Sequence, residues 1–212
     1  FSELSLSLSG YTANKKYDIF AYNNSGSVAL ESLVWTNDTT RGMAVVRQNG
    51  VLVKSGATTR RLLGTVRITG TTGQTEDSKT KRYVSNVTNV VRRGLYFAPA
   101  QFYVTAPSDW WNGGLRYWND NASAYNYSFV STVSSPLSIG LSGYWTQSGC
   151  CNMWFLTFGY GLDSGSLVDG NTSDTVNNGT WYHPIAYKSS YLVPDAGFHT
   201  VYGLYNIGIM NV

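Results

Sequence analysis

Leucine and serine alternate through "SELSLSLSG", so Leu4, Leu6 and Leu8 fall on one side of an extended chain and the hydroxyls on the other. A period of two is the signature of a half-buried strand, and the segment predicts one. "KKYDIFAYNN" and "SVALESLVWTND" flank "NNSGS", whose Asn and Gly residues tolerate left-handed backbone angles, so this pair predicts a hairpin. In "MAVVRQNGVLVKSG", Asn49 and Gly50 both accept the positive φ of a type I′ turn, which predicts a two-residue hairpin. "TRRLLGTVRITG" sets Leu62, Val66 and Ile68 on one side of a strand, with Arg61 and Arg67 on the other. Together these elements predict a small antiparallel sheet of about five strands.

The pattern changes in "TTGQTEDSKTKRYVSNVTNVVRR", residues 71–93, where charges crowd together. Thr75 or Asp77 is placed to cap a short helical turn, with Glu76 and Asp77 near its positive end. The β-branched continuation favours a strand, so one helical turn followed by a strand leading into the second half is expected. Beyond it, "LYFAPAQFYVT", "YNYSFVSTVS", "PLSIGLSGYWTQ", "NMWFLTFGYGLD", "GTWYHPIAYKSSYLV" and "GFHTVYGLYNIGIMNV" predict six strands or more at the spacing of a β-sandwich. In the last of these, Val201, Tyr205, Ile207 and Ile209 share a face. Phe198, Tyr202, Leu204 and Met210 make the other face almost as apolar, as in a central or interface strand.

Charge and aromatic content divide the chain in the same place. Residues 1–93 hold 13 of the 15 basic and 6 of the 12 acidic residues, a net +7, whereas residues 94–212 stand at −4 and hold 24 of the 31 aromatics. The shift marks a domain boundary near Arg93: a basic antiparallel module with its connecting segment at 1–93, and an aromatic-rich domain at 94–212. A basic half invites nucleic acid. Its charges are scattered and flank turns, with no Arg-rich run or interleaved aromatic signature, so no nucleic-acid partner is expected and solvated strand edges or an acidic partner explain them. No apolar run is long enough to span a bilayer, and no membrane partner is expected. The chain opens on Phe1 rather than Met, which reads as a processed or cut boundary.

Candidate chemistry is sparse. Cys150 and Cys151 are adjacent, and a bridge between neighbours is disfavoured, so they read as thiols on opposite faces of a strand. His183 and His199 fit no zinc spacing and no nucleophile context, and read as strand residues hydrogen-bonded at an interface. The acids mark no facing pair for hydrolysis, so no catalytic residue, metal or cofactor is assigned and no enzyme is expected. "SDWWNGGLRYWND" gathers Trp110, Trp111, Tyr117 and Trp118 around Asp109, Arg116 and Asp120. Such a cluster either stacks on sugar faces while its polar groups take hydroxyls, or packs under a loop or between subunits.

The stretches "YDIFAYNNSGSVALESLVWTNDTTR" and "VRQNGVLVKSGATTRRLLGTVRITGTTGQTEDSKTKRYV", with their approach through "SELSLSLSG", resemble a recurring module of tailed-bacteriophage virion proteins over residues 2–92. The module occurs in tail-fibre, head-fibre and other minor structural proteins, ahead of a variable C-terminal β domain. The likeness departs after Tyr83 and is general from residue 94 onward. It implies an all-β protein, a small antiparallel N-terminal module followed by a jelly-roll-like β-sandwich, exposed on the phage particle as a fibre, spike or capsid-decoration component. Expected partners are further copies of itself, as a homotrimer, and other virion proteins. The alternative is receptor binding, with host surface glycan held by Asp109, Trp110, Trp111, Arg116, Tyr117 and Trp118. Glu76, Asp77, Lys81 and Arg82 are expected to form a seam between the two halves through caps and ion pairs.

Overall fold

The computed structural model describes residues 3–88, 116–117, 122–123, 126–134, 136–147, 154–166, 168–175, 181–192 and 195–209. Among them the chain is all-β, built mainly from antiparallel pairs, with no helix. It divides into two compact units. The first takes residues 1–96 together with 128–135 and 193–199, and the second takes 97–127, 136–192 and 200–212.

In the first unit, β1 (Lys16–Asn24), β2 (Ser27–Val34), β3 (Val45–Gln48), β4 (Val51–Lys54) and β5 (Ala57–Arg67) form a sheet in the order β2-β1-β5-β4-β3. After β6 (Lys81–Arg82), β7 (Val84–Asn86) adds to this sheet beside β5. The turns follow from the backbone freedom the sequence offers. Asn49 and Gly50 take φ of 49° and 82°, as the type I′ reading requires, and join Gln48 directly to Val51. Between β1 and β2 the left-handed pair is Ser25 and Gly26, and the Asn23 carboxamide oxygen accepts the Gly26 N–H at 2.7 Å.

A register shift between Ile19 and Phe20 bends the β1–β5 pairing, so Ile19 faces Gly64 while Phe20 faces Leu62. On one face Tyr17, Val66 and Ile68 are buried together, with Leu8, Tyr11 and Ile19 packed against them. Lys16, Asp18 and Phe20 lie on the opposite face and are also buried.

Three expectations for this half are corrected. The register shift in β5 puts Leu62 on the Phe20 face and Val66 on the Tyr17 face, so those two do not share a side, and it separates Arg61 from Arg67 in the same way. The helical turn at Thr75–Asp77 is absent. The chain instead makes a tight turn closed by an Asp77–Arg82 bridge, with the Ser78 N–H donating to the Lys81 carbonyl at 2.8 Å. Thr75 is not a cap, because its hydroxyl donates to the Arg67 carbonyl at 2.7 Å. "SELSLSLSG" has no sheet partner among the described residues. Its end turns at Leu8, whose carbonyl accepts the Tyr11 N–H at 3.0 Å, and Leu4 is left exposed.

β6 runs parallel to the start of the later segment of this unit, pairing Lys81 with Ser128 and Arg82 with Phe129 in β9 (Asn126–Ser131). Thr132 follows, fully buried, and its N–H donates to the Ser85 hydroxyl at 3.2 Å.

In the second unit, β11 (Trp154–Leu162) lies between β12 (Asp169–Thr175) and β14 (Gly197–Ile209), and β8 (Arg116–Tyr117) pairs with β14. Val201 and Leu204, on opposite faces of β14, are both buried, as a strand flanked on both sides requires. β10 (Pro136–Gln147) and β13 (Trp181–Leu192) form a separate ribbon with twelve residues paired on each strand. The expected strand "LYFAPAQFYVT" and the Cys150–Cys151 pair lie outside the described residues.

Candidate functional site

The densest constellation of chemistry surrounds Trp35, the single tryptophan of residues 1–93. β1 carries Lys16 and Asp18 inward, and the segment after β2 brings Trp35, Asp38 and Arg41 over them. Trp35 is 1% exposed. Its ring is faced by the Lys16 ammonium at 4.3 Å and the Arg41 guanidinium carbon at 4.5 Å, both in cation–π range. Lys16 donates to the Asp38 carbonyl, which also accepts the Phe198 N–H at 3.1 Å. Arg41 bridges the Asp18 carboxylate and the Thr132 carbonyl, while the Thr65 hydroxyl donates to the other oxygen of Asp18 at 2.6 Å. Burial withdraws the Lys16 ammonium from water and lowers its pKa to about 8, against a weaker opposing pull from Asp38.

A second cation is enclosed beside this group. Arg67 stacks on the Phe198 ring at 3.8 Å and lies 5.2 Å from the centre of the Tyr83 ring. Tyr83 and Phe198 in turn meet edge to face at 5.8 Å. The solvated role expected for the basic residues is therefore corrected at Lys16 and Arg67. Aromatic faces and carbonyls take the place of water around them. On the outer part of the same face, Glu31 accepts from Lys54 at 2.6 Å and from Arg60, which lies 4.6 Å from the Tyr22 ring. Burial alone pushes the Glu31 carboxyl up, but the two cations outweigh it and hold its pKa below the usual value.

The four residues expected at a seam pair with one another inside one turn of the first unit. Glu76 reaches Lys81 at 3.0 Å and Asp77 reaches Arg82 at 3.2 Å. The Ser78 hydroxyl donates to Glu76 at 2.7 Å and, with Lys81, holds that carboxyl below its usual pKa despite partial burial.

Of the residues named for glycan contact, Asp109, Trp110, Trp111 and Trp118 lie outside the described residues, and Arg116 is described through its backbone in β8. Tyr117 is half-buried. Its ring meets Tyr202 edge to face at 5.3 Å, and its hydroxyl lies over Gly165, where a Cβ would collide with it. His199 is buried, 5.4 Å from the Phe129 ring and with Nε2 3.3 Å from the Asp195 carbonyl, while the backbone of His183 pairs with Trp145 in the ribbon. Among the described residues no three His, Cys, Asp or Glu side chains gather as metal ligands do.

What the sequence reading missed is a set of exposed valines at the rim of the first sheet, on the face whose centre is buried at Tyr17, Val66 and Ile68. Registers place Val28 and Val34 of β2, Val46 of β3, Arg61 of β5 and Val84 of β7 on the face opposite Lys16 and Asp18. The valines are 59%, 47%, 42% and 41% exposed. The alternation within "SVALESLV" carried the signal, since Val28, Leu30 and Val34 share one parity.

Compared with protein-family models, curated proteins and solved structures, the chain matches none.

Proposed function

We infer that this chain is a non-catalytic structural protein that assembles with copies of itself as an exposed component of a tailed-phage particle, a fibre, spike or capsid-decoration protein. The observation that carries the assembly reading is the valine rim of the first unit. A sheet face open to water ordinarily carries polar side chains, whereas Val28, Val34, Val46 and Val84 are exposed around the buried centre of this one, and exposed apolar side chains belong to contact surfaces. The virion assignment is supported by the resemblance of residues 2–92 to the phage structural module. A jelly-roll-type sandwich over residues 94–212 is the finer architecture that the antiparallel strands of the second unit support.

Closed cyclic symmetry is the ordinary outcome for repeated identical subunits, and a homotrimer is the state proposed. Sedimentation equilibrium of the 212-residue chain at micromolar concentration is the test, with a mass three times 23.3 kDa expected. A monomer across the concentration range overturns the assembly reading. Immunogold labelling of particles with an antibody to this chain places it on the virion, and absence of label from intact and disrupted particles overturns the phage assignment.

A further inference from the structure

The ladder along one edge of β5 is interrupted. β4 pairs with it at Arg61, through Val53, and β7 takes over from Gly64, through Asn86, so Leu62 has no register partner on that edge. At the break lies a cavity of about 230 Å³, formed entirely by residues of the first unit. Val51, Leu52, Leu62, Val87 and Val133 give it apolar walls, and Arg47 and Arg61 stand among them. By register Arg47 belongs to the Lys16 face of the sheet and Arg61 to the opposite one, and the break is where both reach one space.

Arg47 is positioned by the hairpin it belongs to, since one of its N–H groups donates to the Gly50 carbonyl at 2.7 Å across the type I′ turn. Arg61 is exposed and has no ion pair among the described residues. No carboxylate lines the cavity, and the acids of the sheet are engaged elsewhere, Asp18 by Arg41 and Glu31 by Lys54 and Arg60. The Thr88 N–H and hydroxyl both donate to the Asn86 carboxamide oxygen, so the side-chain donors left at the cavity are those of the two arginines.

Two guanidiniums beside aliphatic walls select one kind of occupant. A guanidinium takes a carboxylate through two parallel N–H···O bonds, and the walls gain by burying hydrocarbon. An inorganic anion leaves those walls unused, and a sugar would lose the hydration of its hydroxyls against them.

We propose that this cavity binds a small organic carboxylate, its charged group between Arg47 and Arg61 and an apolar body about one ring in size against Leu62, Val87 and Val133. The site goes beyond the assembly reading and does not rest on it.

Benzoate is the probe, titrated into the full chain and followed by calorimetry and saturation-transfer NMR. A dissociation constant of about 1 mM is expected for an occupant of this size. Benzamide keeps the ring without the charge and inorganic phosphate keeps the charge without the ring, and each is expected to bind at least about tenfold more weakly. Arg47→Gln and Arg61→Gln are each expected to weaken benzoate about tenfold with thermal unfolding unchanged, and Val133→Phe, at an exposed wall position, to block it with both guanidiniums intact. In the unmutated chain benzoate is expected to protect Arg47 and Arg61 from phenylglyoxal, read by peptide mass, so the test does not depend on how the variants fold. Four results would each overturn the proposal: no binding up to about 20 mM benzoate, benzamide or phosphate binding as tightly, wild-type affinity in the arginine variants, or equal modification of both arginines with and without benzoate. Loss in the arginine variants with wild-type affinity in Val133→Phe puts benzoate on exposed charge outside the cavity and overturns it as well.

Discussion

Lys16 holds its ammonium 4.3 Å from the centre of the Trp35 ring although the side chain is 1% exposed. A lysine so placed is held by an aromatic face and a carbonyl in place of water, and its protonated form carries a desolvation cost. The folded pKa of about 8 lies below the reference value of 10.5. Between those values the unfolded chain keeps a proton that the folded chain has released, so stability rises with pH across that window and the penalty is fully present below it. The gain is about 3 kcal/mol at most by pH 10.5. Urea unfolding from pH 7.5 to 10.5 measures it, and Lys16→Met is expected to flatten the slope. Equal slopes in the two proteins would rule the assignment out.

The Asp18 carboxylate, itself buried, joins Thr65 and a largely covered Arg41. Asp18→Ala leaves the Arg41 charge enclosed without its counter-ion, at a cost of about 3 to 5 kcal/mol in unfolding free energy. Thr65→Val removes one neutral partner and costs about 1 to 2 kcal/mol. A loss below about 1 kcal/mol for Asp18→Ala would show that water reaches the group.

Gly64 lies under β7, and a Cβ there overlaps the Ser85 carbonyl oxygen. Gly64→Ala is expected to cost about 3 kcal/mol or to detach β7 from β5. Hydrogen exchange at the Val87 amide, which donates to the Leu63 carbonyl at 2.9 Å, reports the detachment directly.

The turn at residues 76–82 predicts a small effect. Its ion pairs are part-exposed, so Lys81→Gln with Arg82→Gln is expected to cost no more than about 1 kcal/mol. The lowered Glu76 pKa contributes stability above its ordinary value of 4.5, lost as pH falls through the folded value. A smaller drop in melting temperature between pH 6 and pH 3.5 in the double variant than in the parent is the expected contrast, since Ser78 still holds Glu76 and Glu31 keeps its own partners.

Receptor binding has a separate test. Under the glycan alternative, Trp111→Ala with Trp118→Ala abolishes binding to host cells, and unchanged binding removes those residues from consideration.

The legible elements were those encoded locally. Asn49-Gly50 requires positive φ and takes it, and the runs of β11, β13 and β14 form strands as their patterning predicts. Misreadings arose where distant chain decided the outcome. "DGNTSDT" has little strand preference of its own, yet β12 forms because β11 offers it a ladder. Alternation put Arg67 on the water side of β5, and nothing near it announced Phe198, more than a hundred residues later, as the ring that would cover it. The turn at Ser78 defeated the helix-cap reading because Glu76 found its partners in Ser78 and Lys81 instead of in a helix dipole.

Segments 128–135 and 193–199 belong to the first unit, and that sets an order of events during synthesis. Strands β1 to β5 leave the ribosome early, but the Thr132 carbonyl that receives Arg41 and the Phe198 ring that covers Arg67 are made much later. At about 5 to 20 residues per second, the nascent sheet carries uncovered cations for several seconds or more. The N-terminal half thus finishes folding only after Phe198 has emerged, and a ribosome stalled at residue 100 would hold a sheet that proteases can still open.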